Sequence, residues 1–115
     1  MRDYRKYSVW EVGHELTLAI YGATEDFPDT EKFGVISQMR RASYSIPSNI
    51  AEGCGRESDA DFKRFLVISR GSAAELEYFL ILSKDLGLLN AEQFDQLFDK
   101  VNKVKRSLNN LINKI

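Results

Sequence analysis

The chain has 115 residues, 43% of them apolar and 29% charged, with seven Gly and two Pro; that is the size of one domain and a composition that excludes a disordered or fibrous chain. Sixteen Lys and Arg against seventeen Asp and Glu leave a net charge of -1, so no overall basic field draws the chain to nucleic acid or anionic lipid, and any such binding needs a local patch. The single Cys54 excludes an internal disulfide, the opening residues hold no apolar stretch of signal-peptide length, and the longest apolar run, Tyr78 to Leu82, is far short of the roughly 20 residues of a membrane helix; a cytoplasmic protein without membrane contact is the expectation.

The first predicted helix covers about residues 8–24. Ser8 stands as its cap with Glu11 three residues on, and Val12, Leu16, Ile20, Ala23 and Phe27 follow at spacings of three and four. Pro28 disfavours helical geometry at Phe27, which places the end near Thr24. A second helix, about 31–53, carries Ile36, Met39, Ser43, Ile46 and Ile50 at the spacing of a helix packed on another helix. Pro47 lies inside that pattern and withholds a donor from the Ser43 carbonyl, so a kink is expected there, with Gly53 and Gly55 supplying the stop.

Ser58 with Asp61 opens the third and longest helix, about 58–86, and Gly87 closes it. One apolar seam holds Phe62, Leu66, Ser69, Ala73, Leu76, Leu80 and Ser83. A second holds Phe65, Ile68, Ser72, Phe79 and Leu82, and a third Val67, Gly71, Ala74, Tyr78 and Ile81. Three seams cover nearly the whole circumference, more than one bundle of this size can bury, so a second copy of the chain is the expected cover. Arg70, Glu75 and Glu77 sit among these seams, where deep burial would demand pairing and would set the register of helices or subunits. The last helix, about 90–114, has Asn90 and Gln93 as a capping box and a three-four seam of Phe94, Leu97, Val101, Val104, Leu108, Leu111 and Ile115. No alternating β-branched run or hairpin turn appears, so the chain reads as an all-α, antiparallel up-down four-helix bundle forming one domain over residues 1–115.

Patterns that place catalytic chemistry are sparse, so no enzyme, cofactor or small-molecule substrate is expected. Gly53-Cys54-Gly55 lacks the third glycine and the preceding strand of a dinucleotide fingerprint and reads as a helix stop. Glu11 and His14 lie one helical turn apart, as in carboxylate-bridged metal bundles; with one His in the chain, that metal site would need a symmetry mate. Cys54 reads as a small loop residue, with a thiolate stabilised by Arg56 as its redox alternative. Tyr4, Tyr7 and Trp10 resemble an aromatic anchor for the N-terminal segment. The informative cations are Arg40, Arg41, Arg56, Lys63, Arg64 and Arg70 along the second and third helices, and Lys100, Lys103, Lys105, Arg106 and Lys114 on the fourth, where no acid follows Asp99. Either set could face phosphate; the competing reading is dipole complementation and ion pairing within the bundle.

The run Ser37-Gln38-Met39-Arg40-Arg41-Ala42-Ser43-Tyr44-Ser45-Ile46-Pro47-Ser48-Asn49-Ile50-Ala51-Glu52-Gly53 resembles the signature of the bacterial four helix bundle proteins, also called 23S rRNA intervening-sequence proteins. Phe62 to Glu77 and the opening Val9-Trp10 resemble the same family, so the likeness spans nearly the whole chain. The resemblance implies a left-handed four-helix bundle assembled as a homopentameric ring with a central channel, and a likeness to accessory proteins of diversity-generating retroelements, which bind nucleic acid through a basic surface. The expected role is therefore a non-enzymatic, self-assembling scaffold associated with RNA or DNA through Arg40, Arg41, Arg56, Lys63, Arg64, Lys100, Lys103 and Arg106. Its contact or registry residues would be Val67, Arg70, Ala74, Glu75, Glu77, Tyr78 and Ile81. A protein-interaction adaptor without nucleic-acid binding is the alternative, and a metal-binding bundle on Glu11 and His14 the lesser one.

Overall fold

Four long helices account for most of the computed structural model, which describes residues 2–115: α1 (Ser8–Thr24), α2 (Ser37–Cys54), α3 (Asp59–Asp85) and α4 (Ala91–Lys114). Among the described residues there is no strand. α3, with 27 residues, is roughly 40 Å long at 1.5 Å per residue and sets the 43 Å long axis of the molecule. Each helix packs against the next in the chain and α4 returns to α1, so α1 and α3 stand diagonally opposite. Neighbours pair residues in opposite chain order: Thr17 meets Ser43 while Thr24 meets Arg40, and Ser69 meets Ile46 while Ser83 meets Met39. Arg70 meets Asn109 while Glu77 meets Lys105.

Local chemistry sets most helix ends. The Ser58 hydroxyl accepts from the Asp61 amide at 3.1 Å, and Asn90 and Gln93 form a reciprocal capping box. α3 ends in a Schellman motif: Gly87, at φ 76°, takes the left-handed turn, and the amides of Gly87 and Leu88 donate to the carbonyls of Lys84 and Ser83. At α1 the expected Ser8 cap is displaced by one residue. Tyr7 holds the N-cap position and offers no side-chain acceptor, because Tyr4–Lys6 already form a 3-10 turn that is capped by the Asp3 carboxylate through the Arg5 amide. That hydrogen bond holds the Asp3 carboxyl below its ordinary pKa.

The second predicted helix does not run continuously from residue 31. Asp29–Glu31 form a 3-10 turn and Lys32–Ile36 a wider turn broken at Gly34 (φ -113°, ψ -106°), so that Phe27, Val35 and Ile36 close one end of the core while Phe33 is left 90% exposed. The interruption of the second predicted helix lies at Gly34, and α2 continues through Pro47 rather than ending there. Thr17 of α1 explains how. Its hydroxyl lies 3.0 Å from the carbonyl of Ser43, the acceptor that a proline four residues on leaves without a donor. Gly13 lets α1 come this close, since a Cβ there would lie 3.3 Å from Ile46 and 3.7 Å from Pro47.

Of the two glycines expected to stop the second helix, only Gly55 does so, closing α2 in ordinary right-handed geometry. Gly53 serves a different purpose. A Cβ at Gly53 would lie 2.8 Å from the Cβ of Phe65, so its missing side chain is what allows α2 and α3 to cross. The core itself is built from Leu16, Ile20, Met39, Ile46, Ile50, Leu66, Leu76, Leu80, Val101, Val104 and Leu108, all fully buried. Buried hydroxyls within it are satisfied across helices, Ser69 donating to the Ile46 carbonyl at 2.9 Å and Ser83 contacting the Met39 sulfur. No buried side-chain nitrogen or oxygen among the described residues lacks a partner.

Candidate functional site

The first seam of α3 is wholly buried, whereas the third faces away from the bundle. Val67, Tyr78 and Ile81 keep 41%, 57% and 42% of their surface exposed, Gly71 and Ala74 lie open between them, and Ile68 from the second seam extends the face at 40%. The result is an apolar stripe along the outer side of the longest helix. Leu18 and Tyr21 on α1 and Tyr44 on α2 are further exposed apolar groups.

Arg70, Glu75 and Glu77 are not deeply buried as expected; each is part-exposed on a flank of α3. Their long side chains reach along the surface to neighbouring helices. Arg70 donates to the Asn109 side chain at 3.0 Å, Glu77 pairs with Lys105 at 3.1 Å, and Glu75 lies 3.7 Å from Arg41. They tie α3 to α4 and α2 within one chain.

The cations of α2 and α3 do not form one patch. Arg40 sits at the end of α1, its guanidinium donating to the Thr24 hydroxyl at 2.9 Å and resting 4.6 Å over the Tyr21 ring. Arg56 lies sixteen residues further along the chain, at the far end of α2, and pairs with Glu52 and Asp61. Arg64 shares Asp61 with it, and both guanidinium groups pack on the Phe65 ring, at 4.8 and 4.5 Å. Arg41 contacts Gln38 and Glu75. These four arginines are therefore engaged within the bundle, the role that competed with phosphate binding. Among the described residues Lys63, Lys100, Lys103 and Arg106 are exposed and make no ion pair. Lys100 and Lys103 line a narrow recess against α1 with Val12, Glu15 and Leu16, so one carboxylate moderates that stretch.

The sequence of Asp3 to Trp10 folds as an aromatic anchor. Tyr4 meets Trp10 edge-on at 5.1 Å and Tyr7 meets Phe62 at 5.9 Å. Glu11 and His14 are exposed on the outside of α1, His14 is stacked on Trp10, and no group of three or more potential metal ligands comes together among the described residues. Cys54 is neither a loop residue nor an activated thiol. It is the last residue of α2, 2% exposed, and burial pushes its thiol above the ordinary pKa, outweighing the attraction of Arg2.

The sequence model of the 23S rRNA-intervening sequence protein family matches residues 5–110. The chain belongs to that family. Among solved structures it resembles a protein of unknown function from the S23 ribosomal protein family of Bacteroides thetaiotaomicron, with a TM-score of 0.86 and 26% identity over 92% of this chain and 96% of the other. No match was found among curated proteins. No helix of the described residues is long and apolar enough to cross a membrane.

Two features of this family member carry no signal in the sequence. Arg2 lies 4.3 Å over the Phe62 ring, donates to the Arg56 carbonyl at 3.0 Å and pairs with Asp59, so the N-terminal segment is clasped to the α2–α3 connection. Thr17 reads in the sequence as one more polar residue on α1, yet it supplies the donor that Pro47 lacks. Both depend on residues more than twenty positions away, beyond the reach of any local pattern.

Proposed function

We propose that this chain is a non-enzymatic, cytoplasmic scaffold whose left-handed, antiparallel bundles assemble into a homopentameric ring that associates with RNA or DNA. The observation that supports it is the outer face of α3, where Val67, Ile68, Gly71, Ala74, Tyr78 and Ile81 present a continuous apolar strip to water. The second exposed set, Leu18, Tyr21 and Tyr44, lies on other helices. Two different apolar surfaces suit head-to-tail contact, which closes into a ring, better than the self-matching patch of a two-fold dimer. The exposed cations Lys63, Lys100, Lys103 and Arg106 are the phosphate contacts of this reading.

Light scattering tests the assembly. The expected mass is five times the 13.2 kDa chain, and Ala74→Arg should split the assembly or drive aggregation by placing a charge in the apolar contact. A monomer at micromolar concentration would refute it. The nucleic-acid part is read from the salt dependence of oligonucleotide binding: four phosphate contacts imply a slope of log K against log salt of about -3 to -4. Absent or salt-insensitive binding would overturn that part and leave the ring standing.

The internal pairing of Arg40, Arg41, Arg56 and Arg64 favours a second reading, an adaptor whose apolar face receives a partner protein. A stoichiometric protein and no nucleic acid co-purifying from the native host would establish it over the first.

A further inference from the structure

A recess of about 410 Å³ lies between the Lys6–Val9 segment and the last turns of α4. Besides Tyr7, whose ring packs on Phe62, five residues with donor side chains line it: Lys6, Lys114, Ser8, Ser107 and Asn110. No carboxylate does. None of the five side chains makes a hydrogen bond or ion pair with another described residue. A protein recess that gathers two ammonium groups and three neutral donors, with all donor capacity left over, is matched to a compact, multiply charged group rich in acceptors. The geometry points to a binding site for a phosphate group, held by Lys6 and Lys114 and oriented by Ser8, Ser107 and Asn110.

The site is distinct from the Lys100 and Lys103 recess, which includes Glu15 and is an order of magnitude smaller, at about 30 Å³. A volume of about 410 Å³ admits a phosphate with part of the molecule that carries it. The phosphate can come free from solution or as the terminal group of a nucleic-acid strand, and the chemistry of the recess is the same for both. The inference does not rest on the scaffold reading, because free phosphate would occupy the recess whether or not a strand is bound elsewhere.

The full chain is titrated with inorganic phosphate at constant ionic strength while the 31P line width is followed. A companion anisotropy series uses one short oligonucleotide with and without a 5′-phosphate. The expected result is saturable broadening that weakens about tenfold in the double variant Lys6→Gln, Lys114→Gln and is unchanged in the control Lys32→Gln, Lys84→Gln, whose lysines lie outside the recess. All four lysines are exposed, so these variants should fold; circular dichroism checks it. A preference for the 5′-phosphorylated strand that disappears in Lys6→Gln, Lys114→Gln identifies a strand end as the source. Broadening without such a preference identifies free phosphate. Unsaturable broadening, or broadening that the Lys6 and Lys114 substitutions leave intact, overturns the proposal.

Discussion

Replacing Thr17 with Val tests the account of how α2 passes through a proline. The substitution keeps the branched shape and removes only the hydroxyl that serves the Ser43 carbonyl at 3.0 Å. That hydroxyl also lies 3.0 Å from the Gly13 carbonyl, but Gly13 already accepts the Thr17 amide as an ordinary helical bond, so the Ser43 carbonyl is the one left orphaned. Ser43 is fully buried, and a buried acceptor without a donor costs about 1–3 kcal/mol. At this chain length each kcal/mol lowers Tm by about 4–6 °C. The control is Pro47→Ala, which restores an amide four residues beyond Ser43. In that background Thr17→Val should cost at least about 1 kcal/mol less, a coupling within the range of contacting residues. The four proteins of the cycle are compared by urea unfolding at one protein concentration, since assembly would otherwise shift the midpoints. If Thr17→Val costs the same in the parent as in the Pro47→Ala background, or costs nothing in either, the donor argument is wrong.

Gly53→Ala should destabilise by about 1–3 kcal/mol, despite the better helix propensity of alanine, because the added Cβ meets the Cβ of Phe65 at 2.8 Å and the helices must part. Gly13→Ala should cost less than Gly53→Ala in the same urea assay, because its nearest neighbour is the movable Ile46 methyl at 3.3 Å. The raised Cys54 pKa predicts a pH effect: the native state holds the thiol proton more tightly than the unfolded chain, so its contribution is complete below pH 9.0 and is lost as pH rises above it. Unfolding midpoints of the parent and Cys54→Ala should converge as pH is raised from 8 to about 10, and a constant difference would contradict the burial argument. Native protein at pH 8 should alkylate at Cys54 far more slowly than protein in urea, followed by mass spectrometry. Lys105→Ala should cost no more than about 1 kcal/mol, since its pair with Glu77 remains partly solvated.

The sequence by itself determined what local chemistry controls. Caps at Ser58 and Asn90, the Gly87 terminus, the end of α1 and the inner seams of α3 and α4 were legible because helix periodicity and capping act over four residues or fewer. The excess apolar face of α3 was legible for the same reason, since three seams on one helix can be counted without knowing its neighbours. Tertiary structure decided everything that depends on who stands opposite. It set an interruption at Gly34, where the sequence pattern reads as continuous helix, and it supplied the hydroxyl on α1 that serves the orphaned carbonyl of α2 below Pro47. It turned Gly53 from a helix stop into a crossing point, and it engaged Arg40 with the Thr24 hydroxyl and the Tyr21 ring, and Arg41 with Glu75, partners that the chain brings near only on folding. A lone residue type carries its charge and volume in the sequence, but whether that charge is spent inside the fold or left free for a partner is a property of the distance to groups far away in the chain.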